Sequence, residues 1–310
     1  MLSFHPLSLA DKAWIDKRVF AFGSRSADFN FGSMYLWDGR YGQLVCDRGG
    51  RLITLAHAHD TPIYPFPVGD GELGPVLEAM REYAQTLNFP FVIRGVEEAG
   101  CEELRKLYPG KFRFTEDVQY GDYIYSAEKL STLAGKKLHA KRNFINRFQA
   151  EHEWRFEVLG PQHFPACVAL LDKWNHTEGH ESGKTIEGEH AAIMRALEYY
   201  DRLDLVGGAL FAEGEMIAFT IGERISDDTI DVHFEKAEAE VSGAYAMINR
   251  EFVRHVLSLW PEIRYFNRED DMGLENLRQA KLSYHPEYIL RKFTATFSDK
   301  THEALSEREA

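Results

Sequence analysis

The sequence predicts a mixed α/β protein of the α+β type, built from two halves in which helices and strands follow a similar order. Stretches with helical periodicity alternate with strand-like stretches along all 310 residues. This length exceeds what most single cores hold and indicates one large or two medium domains. With 44% hydrophobic and 13% aromatic residues, the chain has enough apolar material for packed cores.

The first half is predicted to open with a helix, Asp11 to Phe22, followed by a β-hairpin. The hairpin joins "YGQLVCD" and "RLITLAH" through the turn Arg48-Gly49-Gly50. The next segment, "PIYPFPV", is predicted to form an edge strand at most, because proline cannot donate to a strand ladder. The remaining elements of this half are a helix over 71–88, the strand "PFVIRG", a helix over 99–108, and the strands "KFRFTED" and "DYIYS".

The second half repeats this order, and a helix over 130–152 joins it to the first. We therefore expect an N-terminal domain over 1–128, a C-terminal domain with the active cleft over 129–298, and a polar, frayed tail over 299–310. The predicted elements of the second half are a strand over 154–159, helices over 161–177 and 187–200, a three-strand meander over 203–236, a helix over 244–259, the strand "EIRYFN", a helix over 273–282, and the long alternating strand "EYILRKFTATF".

The charge of the chain restricts its ligands. A formal net charge of −13 disfavours general binding of nucleic acid, which depends on cations against phosphates, and favours a cationic small substrate. The joining helix nevertheless carries a dense basic block that either contacts a nucleotide phosphate or a tRNA acceptor end, or is simply a solvated helix face. The block consists of Lys136, Lys137, His139, Lys141, Arg142 and Arg147.

Neither a membrane segment nor a metal site is predicted from the sequence. No apolar run reaches the roughly 18 residues of a membrane span, and the start of the chain does not read as a secretory signal. Three scattered cysteines argue against a disulfide framework, so we expect a reduced, cytoplasmic protein. The loop with His176, His180 and His190 lacks a zinc-binding pattern and is interpreted as a glycine-rich cover over a cleft. The segment "AHAHD", Ala56 to Asp60, is interpreted as a strand end.

Several stretches of the second half resemble one known family. The stretches "LAGKKLHAKRNFINRF", "VHFEKAEAEVSGAYAMINREF" and "FNREDDMGLENLRQAKLSYHP" are similar to the C-terminal domain of phosphatidylglycerol lysyltransferases, and more closely to its stand-alone relatives. The resemblance spans nearly the whole chain and is most specific over 130–295. It implies a tandem pair of GNAT (Gcn5-related N-acetyltransferase) folds, as in the Fem-type peptidyltransferases that use aminoacyl-tRNA. Because no membrane-embedded domain is present, modification of a lipid is not implied.

In such a fold the acyl donor is expected at the turn before the helix over 244–259. Ser242 is the expected N-cap, Gly243 allows a close approach, and the N–H groups from Ala244 onward face phosphate. Lys141 and Arg142 are expected to add positive charge. A single glycine, with Glu238 and Glu240 nearby, suits the phosphates of CoA less well than the usual glycine-rich loop. The alternative is a plain helix cap. These donor-site residues are Ser242, Gly243, Ala244, Lys141 and Arg142.

Three residues are predicted to act in catalysis. Glu235 lies near the end of the meander, on the strand face that alternation assigns to His233 as well. It is predicted to act as a base or as an anchor for an amine; the alternative is a solvated strand end. Lys281 falls on the apolar stripe of Leu274 and Leu277, and requires a carboxylate or phosphate partner unless it snorkels to solvent. Tyr284 is a general acid or a packing residue.

The acidic turn after "EIRYFN" is the expected substrate site. Asn267, Glu269 and Asp271 would bind the amine of an aminoacyl group or of an acceptor. The alternative is that carboxylates are favourable before any helix N-terminus, where the helix dipole is positive.

Three functions follow from these residues and from the resemblance. The first is transfer of an aminoacyl group, from aminoacyl-tRNA or a related donor, to a small-molecule or peptidyl amine or to a hydroxyl. The second is N-acylation from acyl-CoA. The third is a non-catalytic GNAT pair that binds a metabolite or a partner. No covalently bound cofactor and no metal are expected, and the oligomeric state is left open.

Overall fold

The computed structural model describes residues 2–58, 61–177 and 183–298, and the chain folds into two compact units. Unit 1 comprises Met1–Gly121 and the segment that begins at Leu290, and unit 2 is Asp122–Ile289. The helices are α1 (Lys12–Phe22), α2 (Phe31–Tyr41), α3 (Leu73–Thr86), α4 (Glu98–Leu107), α5 (Ala127–Thr132), α6 (His139–Glu151), α7 (Phe164–Thr177), α8 (Gly183–Glu198), α9 (Ala244–Leu259) and α10 (Glu275–Leu282).

The strands follow the predicted elements closely in most of the chain. They are β1 (His5–Pro6), β2 (Leu44–Arg48), β3 (Arg51–Ala58), β4 (Thr61–Pro65), β5 (Val68–Gly69), β6 (Val92–Val96), β7 (Phe112–Glu116), β8 (Asp122–Ser126), β9 (Trp154–Val158), β10 (Val206–Ala212), β11 (Glu215–Arg224), β12 (Thr229–Ala237), β13 (Tyr265–Asn267), β14 (Tyr288–Leu290) and β15 (Phe293–Phe297).

Each unit is organised around one mixed sheet. In unit 1 the strand order is β1-β2-β3-β4-β6-β15-β7, with β5 paired to β3. In unit 2 the order is β14-β8-β13-β12-β11-β10-β9. Each sheet contains a parallel pair, β4 with β6 and β12 with β13, next to antiparallel strands. The shared arrangement agrees with the structural duplication that the element order predicts.

The predicted edge position of "PIYPFPV" is wrong. Its strand, β4, lies inside the sheet between β3 and β6. Proline is tolerated there because the ladders are short: β4 pairs with β3 over three residues and with β6 over two. The helix α2 was not predicted at all, because Phe31–Tyr41 contains two glycines and several aromatic residues without a regular apolar stripe.

The joining helix expected over 130–152 is two helices in the structure. The backbone turns into the left-handed region at Leu133 and Gly135, with φ of 51° and 92°. Arg142, on the first turns of α6, donates hydrogen bonds to the carbonyls of Leu133 and, at 2.7 Å, of Gly135. The side chain therefore satisfies carbonyls that the end of α5 leaves without helical partners.

The long strand expected over "EYILRKFTATF" is also divided. Its first part, β14, lies in the sheet of unit 2, and its second part, β15, pairs with β6 and β7 in unit 1. Between them Lys292 is buried and binds Asp28 at 2.8 Å. The units therefore differ from the expected bounds of 1–128 and 129–298: β8 belongs to unit 2 because it pairs with β13, and β15 belongs to unit 1. The tail expected over 299–310 lies outside the described residues.

The core of unit 2 lies between its sheet and α9. The amphipathic α9 buries Ile248, Phe252 and Val256 against residues of β10, β12 and β13. Burial of side chains of this size contributes about 1.5–3 kcal/mol each relative to exposure. This packing holds the ends of β12 and β13 in place, and polar residues such as Glu235 and Arg268 lie at those ends.

Candidate functional site

The parallel strands β12 and β13 separate after a short contact. They pair only at Thr229–Asp231 and Tyr265–Asn267, after which β12 runs on to Ala237 while β13 ends. The residues that follow the last pair on each strand therefore face a gap with no strand between them. Backbone and side-chain groups in such a gap are available to a ligand.

A β-bulge changes which residues of β12 enter this gap. Val232 and Phe234 pair with neighbouring residues of β11, so the ladder skips His233. Glu235 then lies beside Asn249 of α9, whereas His233 contacts a separate group of carboxylates. The predicted common face of His233 and Glu235 is therefore wrong, because simple alternation does not allow for the extra residue.

Glu235 is held by a buried ion pair. Nη2 of Arg268, the first residue after β13, lies 2.7 Å from Oε1 of Glu235, and the two side chains are only 15% and 6% exposed. Burial alone would lower the pKa of Arg268, but the Glu235 charge raises it, so the guanidinium stays charged. Asn249 donates to the other carboxylate oxygen at 3.2 Å.

Asn249 also carries an unused acceptor. Its Oδ1 is buried and has no hydrogen-bond partner among the described residues. The orientation of the amide is fixed, because Nδ2 faces the acceptor-only carboxylate of Glu235. A buried acceptor of this kind requires a donor, and a ligand amine next to Glu235 would supply one.

Tyr284 and Lys141 complete the group. The ammonium of Lys141 lies 3.9 Å from the centroid of the Tyr284 ring, and the guanidinium carbon of Arg268 lies 5.0 Å from the same centroid. Burial raises the pKa of Tyr284, so its hydroxyl stays protonated. Burial and the nearby Arg268 charge lower the pKa of Lys141. Of the predicted catalytic and donor residues, the structure brings Glu235, Tyr284 and Lys141 together.

Lys281 is buried, but not on an apolar stripe. Leu274 precedes α10 and is exposed, and Leu277 is half-buried, so the predicted stripe is wrong. Nζ of Lys281 donates to the backbone carbonyls of Arg268 and Asp270. Burial lowers the pKa of Lys281. The partners of the Lys281 ammonium are thus backbone oxygens of the acidic turn. The carboxylate or phosphate partner that we expected is wrong. The two hydrogen bonds hold the turn that carries Arg268.

Two of the three predicted substrate-binding residues are engaged in shaping the turn. Asn267 is fully buried, donates to Asp122 at 3.0 Å, and accepts from the backbone N–H of Glu269 at 2.6 Å. Asp271 accepts from Arg278 at 2.8 and 3.0 Å and from the hydroxyl of Tyr123 at 2.6 Å. Glu269 instead adopts a left-handed backbone, with φ of 56°.

The contacts of Asp271 predict an acid-dependent loss of stability. Hydrogen bonds from Arg278 lower the pKa of Asp271 from 3.8 to about 2. The carboxylate therefore stabilises the fold fully above pH 3.8, and the contribution is lost as the pH falls through about 2. We expect Asp271→Asn to lower the free energy of unfolding by about 1–3 kcal/mol at pH 7 and by much less near pH 2. Urea denaturation at both pH values, with the exposed Asp227→Asn as control, measures this; a pH-independent effect would contradict it.

His233 lies in a second polar group behind the turn. Its Nε2 is 3.2 Å from Oε1 of Glu223, and its Nδ1 is 3.3 Å from Oε1 of Glu269 and 3.5 Å from Oδ2 of Asp231. The side chains of His233 and Asp231 are fully buried, whereas that of Glu269 is 29% exposed. Burial alone would lower the pKa of His233, but these carboxylates raise it well above its usual value.

The start of α9 differs from the predicted donor cradle. The N-cap is Gly243, with φ of 94°, and not Ser242; Ala244 is the first helical residue. A Cβ at Gly243 would lie 2.7 Å from the carbonyl oxygen of Phe144 on α6. The glycine therefore permits close packing of two helices, and the N–H of Ala244, expected to face phosphate, donates to the carbonyl of Val241 at 3.1 Å. Arg142 is expected to bind phosphate, but in the structure it donates hydrogen bonds to carbonyls that follow α5.

A shallow cavity that is open to solvent lies beside the same turn. Its lining includes Trp174 and Lys173 of α7 and, from the turn, Glu238 and Glu240. Lys173 binds Glu238 at 2.8 Å. With Glu238 already paired and Glu240 adding another negative charge, this cavity does not favour a polyphosphate.

The predicted histidine loop is only partly described. The side chain of His176 and the whole of His180 lie outside the described residues, so the predicted cover over a cleft stays a prediction. His190, on α8, has Nε2 3.4 Å from Oδ1 of Asp172. In the segment "AHAHD", β3 ends at Ala58, and His59 and Asp60 lie outside the described residues.

The family of the chain follows from a match over most of its length. A family model described as phosphatidylglycerol lysyltransferase, C-terminal, matches residues 20–296. The chain belongs to this family. The resemblance noted in the sequence is therefore confirmed. An uncharacterized protein of Mycoplasmoides gallisepticum is 24% identical over 179 residues, which cover 56% of this chain and 54% of that protein, so the match extends over about half of its length.

Solved structures place the family member in its fold class. A conserved protein of unknown function from Bacteroides thetaiotaomicron is 35% identical, with a TM-score of 0.92 over 96% of this chain and 100% of that one. L-PGS from Bacillus licheniformis has a TM-score of 0.67 at 14% identity over 98% and 97% of the two chains. FemX has a TM-score of 0.65 at 9% identity over 98% and 99%. The tandem GNAT-like fold predicted from the sequence is confirmed. Among the described residues, no helix is both long and apolar enough to cross a bilayer.

Proposed function

We propose that this member of the lysyltransferase C-terminal family is an aminoacyltransferase whose active cleft is the gap between β12 and β13. The proposal rests on one observation: hydrogen-bond acceptors and groups that can donate lie close together at this gap. Glu235 and Oδ1 of Asn249, which has no partner among the described residues, are acceptors. Lys141 and the hydroxyl of Tyr284, which lie next to each other, are groups that can donate. An aminoacyl ester has a matching pair of groups, a cationic amine next to an acyl carbonyl.

The amine of the aminoacyl group would bind between Glu235 and Asn249. Each carboxylate oxygen of Glu235 has capacity for a second hydrogen bond beyond those from Arg268 and Asn249. An ammonium brings three donors and a charge that matches the carboxylate. The buried Oδ1 of Asn249 would gain its missing partner, so the complex would remove an unsatisfied acceptor as well as bind the ligand.

Lys141 and Tyr284 would stabilise the oxyanion. Attack of an amine or hydroxyl on the ester carbon forms the new amide or ester bond and breaks the bond to the alcohol oxygen of the donor, which leaves as a hydroxyl with the proton that the acceptor loses. During the attack negative charge collects on the carbonyl oxygen, and donors fixed before the reaction stabilise this charge most effectively. Tyr284 supplies a protonated hydroxyl, and Lys141 a cation whose lowered pKa makes proton donation easier. Arg268 would act indirectly, because it holds Glu235 and contacts the ring of Tyr284.

The donor is proposed to be aminoacyl-tRNA rather than acyl-CoA. The family description names a lysyltransferase, an enzyme that moves an aminoacyl group. The exposed lysines of the α6 region, Lys136 and Lys137, lie in the same basic block as Lys141 and suit the phosphates of an RNA acceptor end. Against acyl-CoA stand the packing of Gly243 on α6 and the acids at the cavity beside it.

Transfer of label from charged tRNA tests this function. The purified protein would be incubated with a pool of tRNA carrying radiolabelled amino acids and with an extract of bacterial metabolites and peptidyl precursors. After ribonuclease digestion, we expect label in a product distinct from free amino acids and aminoacyl-adenosine. We expect Lys141→Met to lower the rate by about 10²-fold, the typical cost of losing an oxyanion donor.

The control is Lys106→Met, which removes the same charge at an exposed position of α4 in unit 1. It should leave the rate unchanged. An absence of any labelled product with the wild-type protein would reject aminoacyl transfer from tRNA. If Lys141→Met reacts as fast as the wild type, Lys141 takes no part in the mechanism and the assignment of the cleft is wrong.

A further inference from the structure

The polar group around His233 has the composition of a metal site. The atoms Nδ1 of His233, one carboxylate oxygen of Asp231 and one of Glu269 all lie within 4.8 Å of one another. One imidazole nitrogen and two carboxylate oxygens form a mixed donor set that zinc and related divalent ions bind in proteins. The two carboxylates come from different places, β12 and the turn after β13, so an ion there would join the two sides of the gap.

The distances from His233 within this group are close to those between two ligands of one ion. Nδ1 of His233 lies 3.3 Å from Glu269 and 3.5 Å from Asp231, whereas hydrogen bonds from nitrogen to oxygen are commonest near about 2.9–3.0 Å. Ligands of a tetrahedral zinc ion, with bonds of about 2.0–2.1 Å, lie about 3.3–3.4 Å apart. The two separations from Nδ1 of His233 are therefore close to the edge length of such a tetrahedron.

The other ring nitrogen of His233 has the partner that a ligand histidine requires. Nε2 is 3.2 Å from the buried carboxylate of Glu223. Histidines that bind metals commonly donate their second N–H to a carboxylate, which fixes the ring and the tautomer. This contact lies outside the three-ligand group, so it is a separate observation in favour of a ligand role.

The group also offers an ion several carboxyl groups and a route from solvent. Asp231, Glu223 and Glu269 place three carboxyl groups around one imidazole. Carboxylates that are buried together are costly without a positive charge among them, and a divalent ion would supply that charge. Glu269, the most exposed of the three ligands, gives the ion a path from solvent.

We propose that Asp231, His233 and Glu269 bind a divalent transition-metal ion of the zinc class, with Glu223 orienting His233. Three protein ligands leave a fourth position for water. The ion ties the turn of Glu269 to β12 and thereby positions Arg268, the neighbouring residue, against Glu235. Because metal binding is measured without an acyl donor, its failure would leave the proposed aminoacyl transfer untouched.

Uptake of metal by the full-length protein tests the site. After treatment with a chelator, the protein would be dialysed against Zn²⁺, and in parallel against Mn²⁺ and Mg²⁺, and the bound metal measured by mass spectrometry. We expect one Zn²⁺ per chain. With Co²⁺ as a probe, we expect the visible absorption of a low-symmetry, four-coordinate site. Uptake well below one ion per chain for all of these metals would overturn the proposal.

Conservative variants locate the ion. We expect Glu269→Gln to weaken Zn²⁺ binding by tenfold or more, and Glu223→Gln, which removes only the orienting carboxylate, by about 10–100-fold. Glu275→Gln, the same change at an exposed position of α10, should bind as the wild type does. Circular dichroism of each variant confirms folding before titration. Equal affinity in Glu269→Gln and wild type would mean that the ion binds elsewhere, and would overturn the assignment.

Discussion

Replacing Arg268 with methionine is expected to lower the free energy of unfolding by about 3–5 kcal/mol, because it leaves the Glu235 carboxylate buried and without its charged partner. Glu235 is only 6% exposed, and of its hydrogen bonds to side chains of the described residues the one from Asn249 remains in that variant. The contacts of the guanidinium with the rings of Tyr284 and Tyr125 are lost as well. Denaturation with urea at pH 7 measures the effect.

Two further variants separate the buried charge from the loss of a large side chain. Arg291→Met removes an arginine that is 48% exposed and pairs with Glu116 and Glu98, so we expect a cost below about 1 kcal/mol. The double variant Arg268→Met, Glu235→Gln should recover at least half of the loss, because no charge is then stranded. A cost for Arg268→Met as small as that for Arg291→Met would contradict a buried ion pair.

Replacing Lys281 with methionine is expected to lower the free energy of unfolding by about 2–4 kcal/mol, since two partly buried carbonyl oxygens lose the charged donor that they share. These are the oxygens of Arg268 and Asp270, so the turn should loosen together with the overall stability. Hydrogen exchange should accelerate over 267–271. The exposed Lys129, paired with Glu287, provides a matched control, and Lys129→Met should cost less than about 1 kcal/mol.

The same experiment distinguishes a positioning role from a catalytic one. If Lys281 only holds the turn, turnover of the proposed reaction should fall in parallel with the order of the turn, and Lys281→Arg should restore part of both. A variant that keeps wild-type stability and exchange but loses turnover would show instead that the ammonium acts on the substrate. If Lys281→Met keeps both the stability and the turnover of the wild type, Lys281 neither holds the turn nor takes part in catalysis.

Much of the fold can be predicted from local sequence patterns. The turn at Arg48-Gly49-Gly50, the meander strands and the amphipathic α9 are each specified by neighbouring residues. The exceptions depend on distant partners. The strand expected over "EYILRKFTATF" has a regular alternation, yet its two parts pair with strands of different sheets, which local periodicity does not encode.

Some residues of the candidate site can be singled out from the sequence, for physical reasons. Glu235 is indicated because a strand end near a helix start is a recognisable position, and Lys281 because a lysine without a local partner is unusual; their roles stay predictions. Arg268 and Asn249 were missed, since their partner Glu235 is 33 and 14 residues away along the chain. His233 was assigned to the wrong face because a bulge leaves no clear mark in the residue pattern. The signal available for the second polar group was the spacing of Asp231 and His233 in "DVHFE", because residues two apart on a strand lie on the same face.

The most direct measurement of the central claim is a crystal structure with a stable aminoacyl donor. A 3′-aminoacylamino analogue of adenosine resists hydrolysis and carries both the amine and the acyl carbonyl. We predict electron density between β12 and β13, with the amine within hydrogen-bonding distance of Glu235 and Asn249 Oδ1, and the carbonyl oxygen facing Lys141 and Tyr284. Density for the aminoacyl group at the cavity beside Glu238, with the gap left free, would contradict the assignment of the cleft.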